Sequence, residues 1–156
     1  MQVLKANVTA PCLRSVLYCE RFAEAPRAVL DNVLLWHAQL RLAQRSDVFL
    51  LDGEEQLVWA EGWPNDTHEC PVLGALLWTP QDDGSWWTEL GFVEPRYRKQ
   101  GVYRLLWEAC VYKAQLKNVR SIQGGVAIGN APMHATCEKL GRRPTYTVYD
   151  YEVPRD

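Results

Sequence analysis

The chain has 156 residues, with 17 Lys and Arg against 19 Asp and Glu for a formal net charge of -2, a length that suits one domain over 1–156 able to bury a core without metal or disulfide staples. That balance supplies no overall basic field for nucleic acid or an anionic membrane, so any anion site must be local. No run approaches the ~18 apolar residues of a membrane span, and the first five residues lack a basic segment followed by an apolar one.

From the N-terminus, the pattern predicts a short strand over 2–8 and then two helices. Thr9 and Pro11 suit the cap and first turn of a helix reaching about Arg21, and Pro26 suits the start of a longer one reaching about Arg45. Leu30, Val33, Leu34, His37 and Leu40 share a face of the second helix, which makes His37 a packed core histidine. The middle of the chain reads as strands over 48–51, 56–60, 72–79 and 86–93. Turn chemistry at Asp52-Gly53, Trp63-Pro64-Asn65-Asp66 and Asp82-Asp83-Gly84 separates them, and such short connections favour an antiparallel meander. Trp86 and Trp87 are adjacent on a strand and must face opposite sides.

A helix over 101–117 follows, with Val102, Leu105, Leu106, Ala109, Tyr112 and Leu116 forming one apolar stripe. Next come a strand over 121–128, weakened at Gly124-Gly125, and a helix capped by Asn130 and closed by Gly141. A last strand is expected over 145–153. The five cysteines, Cys12, Cys19, Cys70, Cys110 and Cys137, are odd in number and form no Cys-x-x-Cys pair, which argues for reduced thiols in the cytoplasm. His68-Glu69-Cys70 has metal-ligand residue types without a second pair at a useful spacing, so it reads as a surface loop and no metal is expected.

The chemistry concentrates at Arg98-Lys99-Gln100-Gly101-Val102-Tyr103. A basic loop with one glycine, between a strand and a helix, leaves several N–H groups pointing outward at a helix N-terminus. Such a terminus carries partial positive charge and unpaired donors, which suit phosphate oxygens. A glycine among basic residues is otherwise an ordinary turn; the flanking strand and striped helix are what favour the phosphate reading.

The spacing Arg98-x-x-Gly101-x-Tyr103 after Val93-x-Pro95 resembles the acyl-CoA motif of the GCN5-related N-acetyltransferase (GNAT) superfamily, which reads Gln or Arg, two residues, Gly, one residue, Gly or Ala. Tyr103 stands where a small residue is usual. Asn130 to Gly141 resembles the family's Asn-x-x-Ala-x-x-x-Tyr-x-Lys-x-Gly-Phe segment, with Asn130, Lys139 and Gly141 in place. Cys137 stands in the tyrosine position and Arg142 in the phenylalanine position. The closest local match covers 89–141; the first 45 residues agree in element order alone.

The resemblance implies an α+β, α/β/α layered fold. It has a mixed, mostly antiparallel twisted sheet flanked by helices, in the order β-α-α-β-β-β-α-β-α-β. It further implies an N-acyltransferase using acetyl-CoA as co-substrate and the amine of a small molecule or protein as acceptor, and it leaves a homodimer open. Phe92 and Val93 would hold the pantetheine arm. N–H groups of Arg98, Lys99, Gln100, Gly101, Val102 and Tyr103 would hold the pyrophosphate, with Arg98 and Arg104 near the phosphates and Asn130 on the arm. Glu89, which strand alternation puts on the face of Val93, is the candidate general base, against an exposed strand glutamate. The acid for the departing thiolate is Cys137, His134, a C-terminal tyrosine or water; a small residue on a helix face is the plainer reading of Cys137, and a solvated helix residue that of His134. Acidic loops at Asp66, Glu69, Asp82 and Asp83 are either attractive to a cationic amine or simply solvated turns. The other functional class is a GNAT-fold CoA-binding or protein-interaction module without catalysis.

Overall fold

A computed structural model describes residues 2–4, 11–44, 51–147, 149 and 153–155. It divides into two compact units, Met1–Gly125 and Val126–Asp156. The first unit contains the strands β1 (Gln2–Leu4), β2 (Leu13–Cys19), β3 (Gln56–Gly62), β4 (Val72–Pro80), β5 (Trp86–Val93) and β6 (Ile122–Gly124). It also holds the helices α1 (Arg27–Gln44) and α2 (Val102–Leu116). The strands lie side by side in chain order. Neighbours are antiparallel from β1 to β5, and β6 joins β5 parallel, so the sheet is mixed and mostly antiparallel as expected.

Two apolar layers form because successive side chains of a strand go to opposite faces. On one face Leu17, Leu57, Trp59, Ala75, Leu77, Leu90 and Phe92 pack with Val29, Val33 and Trp36 of α1. Helix α2 packs on β2, β3, β4 and β5 and buries Val102, Leu105, Leu106, Trp107, Ala109 and Cys110. On that face Trp78 stacks between Tyr18 and Trp86, with centroids 6.2 and 5.0 Å away, and the Lys113 ammonium lies 3.8 Å from the Tyr18 ring centre. Trp86 is buried and Trp87 half-buried, as adjacent residues of one strand should be. His37 is buried.

Several expectations are corrected. The first predicted helix is the strand β2. Val16, Leu17 and Tyr18 are all buried, a run with no polar face that satisfies a central strand covered on both sides, and its pairing with β3 fixes it in place. The observed order therefore starts β-β-α, with one helix before β3. Leu34 is about half exposed, because the stripe on α1 that meets the sheet runs through Val29, Val33 and Trp36. Of the strand expected over 48–51, residues 48–50 lie outside the described residues, and Leu51 leads into a turn. Of that expected over 2–8, residues 5–8 lie outside them. The strand expected over 121–128 ends at Gly124, where the glycine pair begins. In the region of the expected last strand, residues 145–147, 149 and 153 are not strand, and the others lie outside the described residues.

The second unit contains α3 (Ala131–Lys139). Asn130 caps it, its Oδ1 accepting the Met133 N–H at 3.2 Å. Gly141, at φ 77, closes it: its N–H donates to the Glu138 carbonyl and that of Arg142 to the Cys137 carbonyl, a Schellman ending that satisfies two otherwise orphaned acceptors.

Candidate acyl-CoA site

The site is built on β5. Leu77 pairs with Leu90 but Trp78 pairs with Thr88, so Glu89 is the extra residue of a β-bulge, which increases local twist and breaks the alternation. On its other side β5 pairs with β6 only through Trp86, Trp87 and Thr88. From Glu89 to Val93 the outer edge therefore has no strand partner among the described residues.

Backbone directions on this edge follow from two bonds. The Glu94 N–H donates to Leu73 of β4, whereas the Val93 carbonyl accepts from Arg98 Nε at 2.8 Å. Alternation then turns the N–H and C=O groups of Gly91 and Val93 to the open edge and those of Phe92 toward β4. An arm lying in strand fashion against β5 would thus meet Gly91 and Val93. Phe92, expected there from sequence, instead contributes its side chain to the α1 core, stacking on Trp36 with centroids 5.1 Å apart. Gly91 was hidden from sequence because pairing with β4 decides which alternate residues turn to the open edge.

After β5, a 3-10 turn at Pro95–Tyr97 leads into the basic loop. Lys99 and Gly101 both adopt left-handed backbone, φ 60 and 84. Gly101 is the N-cap of α2, with no side-chain cap and no acidic residue in the first turn. The first bond within the helix runs from Leu105 N–H to the Gly101 carbonyl, so the N–H groups of the first turn lie ahead of the helix's own ladder of i to i-4 bonds. A Cβ on Gly101 would meet nothing within 4 Å, which leaves open space where an anion would approach. The Arg98 side chain, expected at the phosphates, is turned back: besides its bond to Val93 its guanidinium carbon lies 5.1 Å from the Phe92 ring centre. Arg104 pairs with Glu108 at 2.8 Å, and Gln100 Nε2 donates to the Arg96 carbonyl at 3.1 Å. Backbone amides and the helix end, more than guanidinium groups, are what this loop would offer an anion.

Glu89 lies toward the α1 side, near Thr79, rather than following the face of Val93. Its Oε2 is buried without a hydrogen-bond partner among the described residues. Burial pushes its carboxyl above the ordinary range, the Thr79 hydroxyl opposes the shift, and the charges of Glu55 and Asp52 add to it. A carboxylate raised in this way binds a proton more readily than an exposed one.

The remaining candidates lie in the second unit. His134 Nε2 is 3.1 Å from the Ala127 carbonyl, which can only accept, so Nε2 carries the hydrogen. Cys137 Sγ is 3.6 Å from Arg142 Nη1. Among the acidic loops, Asp83 accepts the N–H and hydroxyl of Ser85, which holds its carboxyl below the usual range; Asn65 Oδ1 organises the other loop by accepting from Thr67 and Glu69. Both loops have structural employment of their own.

The sequence matches the acetyltransferase (GNAT) family over residues 18–141. The chain belongs to the GNAT family. Comparison with curated proteins gives no match. Among solved structures, this GNAT chain is similar to a Clostridium difficile 630 protein described as a possible acetyltransferase, at 18% identity and TM-score 0.61, covering 90% of this chain and 99% of the other. The aminoglycoside N-acetyltransferase AAC(6')-Iy in complex with CoA gives 16% identity and TM-score 0.61, with the same coverage. The integron cassette protein VCH_CASS6 of V. cholerae gives 13% and 0.64, covering 88% and 91%. At these identities the likeness is one of fold. Among the described residues no helix is long and apolar enough to cross a membrane.

Proposed function

We propose that this GNAT chain is an acyl-CoA-dependent N-acyltransferase that uses acetyl-CoA and passes the acyl group directly to an amine of a small molecule or protein. The observation that carries the reading is the outer edge of β5 beyond Thr88, which has no strand partner among the described residues, continuous through the basic loop with the N-terminus of α2, which has no side-chain cap. Peptide-like amides of a pantetheine arm match the outward groups of Gly91 and Val93, and a pyrophosphate matches the amides of the first turn. The solved complex of AAC(6')-Iy with the bisubstrate analogue CoA-S-monomethyl-acetylneamine is consistent with this use of the fold.

In the proposed reaction the amine nitrogen forms a bond to the thioester carbonyl carbon, the carbon–sulfur bond breaks, and the thiolate takes up a proton. Glu89 removes the proton that the amine must lose, directly or through water. Holding both reactants in one geometry supplies much of the rate. For the thiolate's proton, Cys137, His134, a C-terminal tyrosine and water remain the proposed sources; Cys137→Ser and His134→Gln test the first two, since losing the proton donor lowers turnover without weakening acetyl-CoA binding. Cys137 in the tyrosine position also supports a second reading, a CoA-binding module without catalysis.

Calorimetric titration with acetyl-CoA tests the cofactor reading, and absence of heat and of a thermal shift at millimolar ligand overturns both readings. Thiol release across an amine panel then decides between them. Binding without release for any amine favours the module.

A further inference from the structure

Gly91 is exposed between two buried neighbours, Leu90 and Phe92, and an aromatic ring explains why it has no side chain. A Cβ there would lie 2.8 Å from Tyr103 Cε2, 3.2 Å from its hydroxyl oxygen and 3.4 Å from Leu76 Cδ1. Even a methyl group at Gly91 would require the phenol to shift. The large residue in the third position of the phosphate-loop motif is thus matched by a missing side chain on β5.

The location gives this pair a consequence. Gly91 lies on the open half of β5, with its amide turned to the outer edge. It stands two residues from Val93, where the phosphate loop begins, and two from Glu89, roughly 6–7 Å each way for an extended strand. A thioester whose phosphates rest on the first turn of α2, and whose arm runs back along β5, comes level with Gly91 just before it reaches the carboxylate. On the α2 side of that level the space is already taken by the Tyr103 ring and Leu76. The ring is rooted in the turn that presents the phosphate-binding amides, so its position is fixed together with that of the cofactor.

We infer that Tyr103 is a specificity-determining residue whose phenol, seated on Gly91, closes the α2 side of the acyl-CoA slot so that it admits an acetyl thioester and rejects longer acyl chains. This rests on the acyl-CoA reading above. A closed pocket discriminates about tenfold or more for each added methylene, so a butyryl chain should be disfavoured by at least that factor.

The test is calorimetric affinity for acetyl-CoA and butyryl-CoA, which needs no acceptor and no turnover. The wild-type chain should bind acetyl-CoA about tenfold or more tightly than butyryl-CoA. Tyr103→Ala should bring the ratio close to one, and Tyr103→Phe, which keeps the ring, should preserve it. If Tyr103→Ala fails to fold, Tyr103→Leu, which removes the ring and hydroxyl but keeps an apolar side chain, should narrow the ratio in its place. Acetyl-CoA binding with a ratio that neither shortened variant changes overturns the inference and leaves the cofactor reading standing. No binding of either thioester to the wild-type chain overturns both.

Discussion

Trp36 ties α1 to the start of the basic loop, and removing its indole tests whether that tie holds the loop. Its side chain is fully buried, its ring stacks on Phe92, and Nε1 donates to Glu94 Oε1 at 2.6 Å. In Trp36→Phe the stacked ring persists while the donor and the second ring are lost. The hydrogen bond to a carboxylate is worth about 1.5–3 kcal/mol, and the lower half applies because Glu94 is only half-buried and water can replace the indole. The smaller ring costs a further ~1–2 kcal/mol in lost apolar burial, for a total near 3–4 kcal/mol. Urea denaturation of Trp36→Phe, Glu94→Ala and the double variant isolates the bond, because the ring loss cancels in the cycle. The expected coupling is about 1.5–2 kcal/mol, accompanied by weaker acetyl-CoA binding in Trp36→Phe although Trp36 lies on the opposite face from α2. A coupling below about 0.5 kcal/mol would refute the assigned tie.

With Glu89 as the proposed base, Glu89→Gln should lower thiol release by about 100-fold or more. Because burial raises the Glu89 carboxyl above its unfolded value, its contribution favours the fold at low pH and is lost as pH rises through the folded pKa. Glu89→Gln should flatten that part of the profile, and identical dependence of melting temperature on pH in the two chains would contradict it. Gly101→Ala introduces a Cβ that meets no atom within 4 Å but occupies left-handed backbone, so denaturation should show a loss of about 1–2 kcal/mol and calorimetry a weaker CoA affinity. Gly74→Ala would place Cβ 2.6 Å from the Phe92 carbonyl oxygen, a backbone atom that cannot swing aside; a cost of about 1–3 kcal/mol is expected, and an unchanged urea midpoint would show that the β4–β5 pair yields there.

The elements around the site were legible from sequence because their signals are local. The strand over 86–93 and the helix over 101–117 reappear as Trp86–Val93 and Val102–Leu116, since alternation, the apolar stripe and Gly101 each act within a few residues. Asn130 and Gly141 mark the ends of α3 for the same reason. Leu13–Cys19 went to a strand against the helix expectation because β3 beside it supplies hydrogen bonds that no local pattern announces.

The amino-acid order alone therefore determined the strand–loop–helix with Gly101 at the helix start, and with it the resemblance to the family. Tertiary structure decided what the side chains around it do. The bulge at Glu89 exists only as a mismatch in pairing with β4; it breaks the alternation that would put Glu89 on the face of Val93, while the regular part of that pairing sets which backbone groups face the open edge. Arg98 turns back because the Val93 carbonyl at that edge lies within its reach. Tyr103 gains its place from Gly91 twelve residues earlier, which the fold brings against its ring. These are relations between separate segments, fixed by packing and pairing rather than by the conformational preferences of either segment.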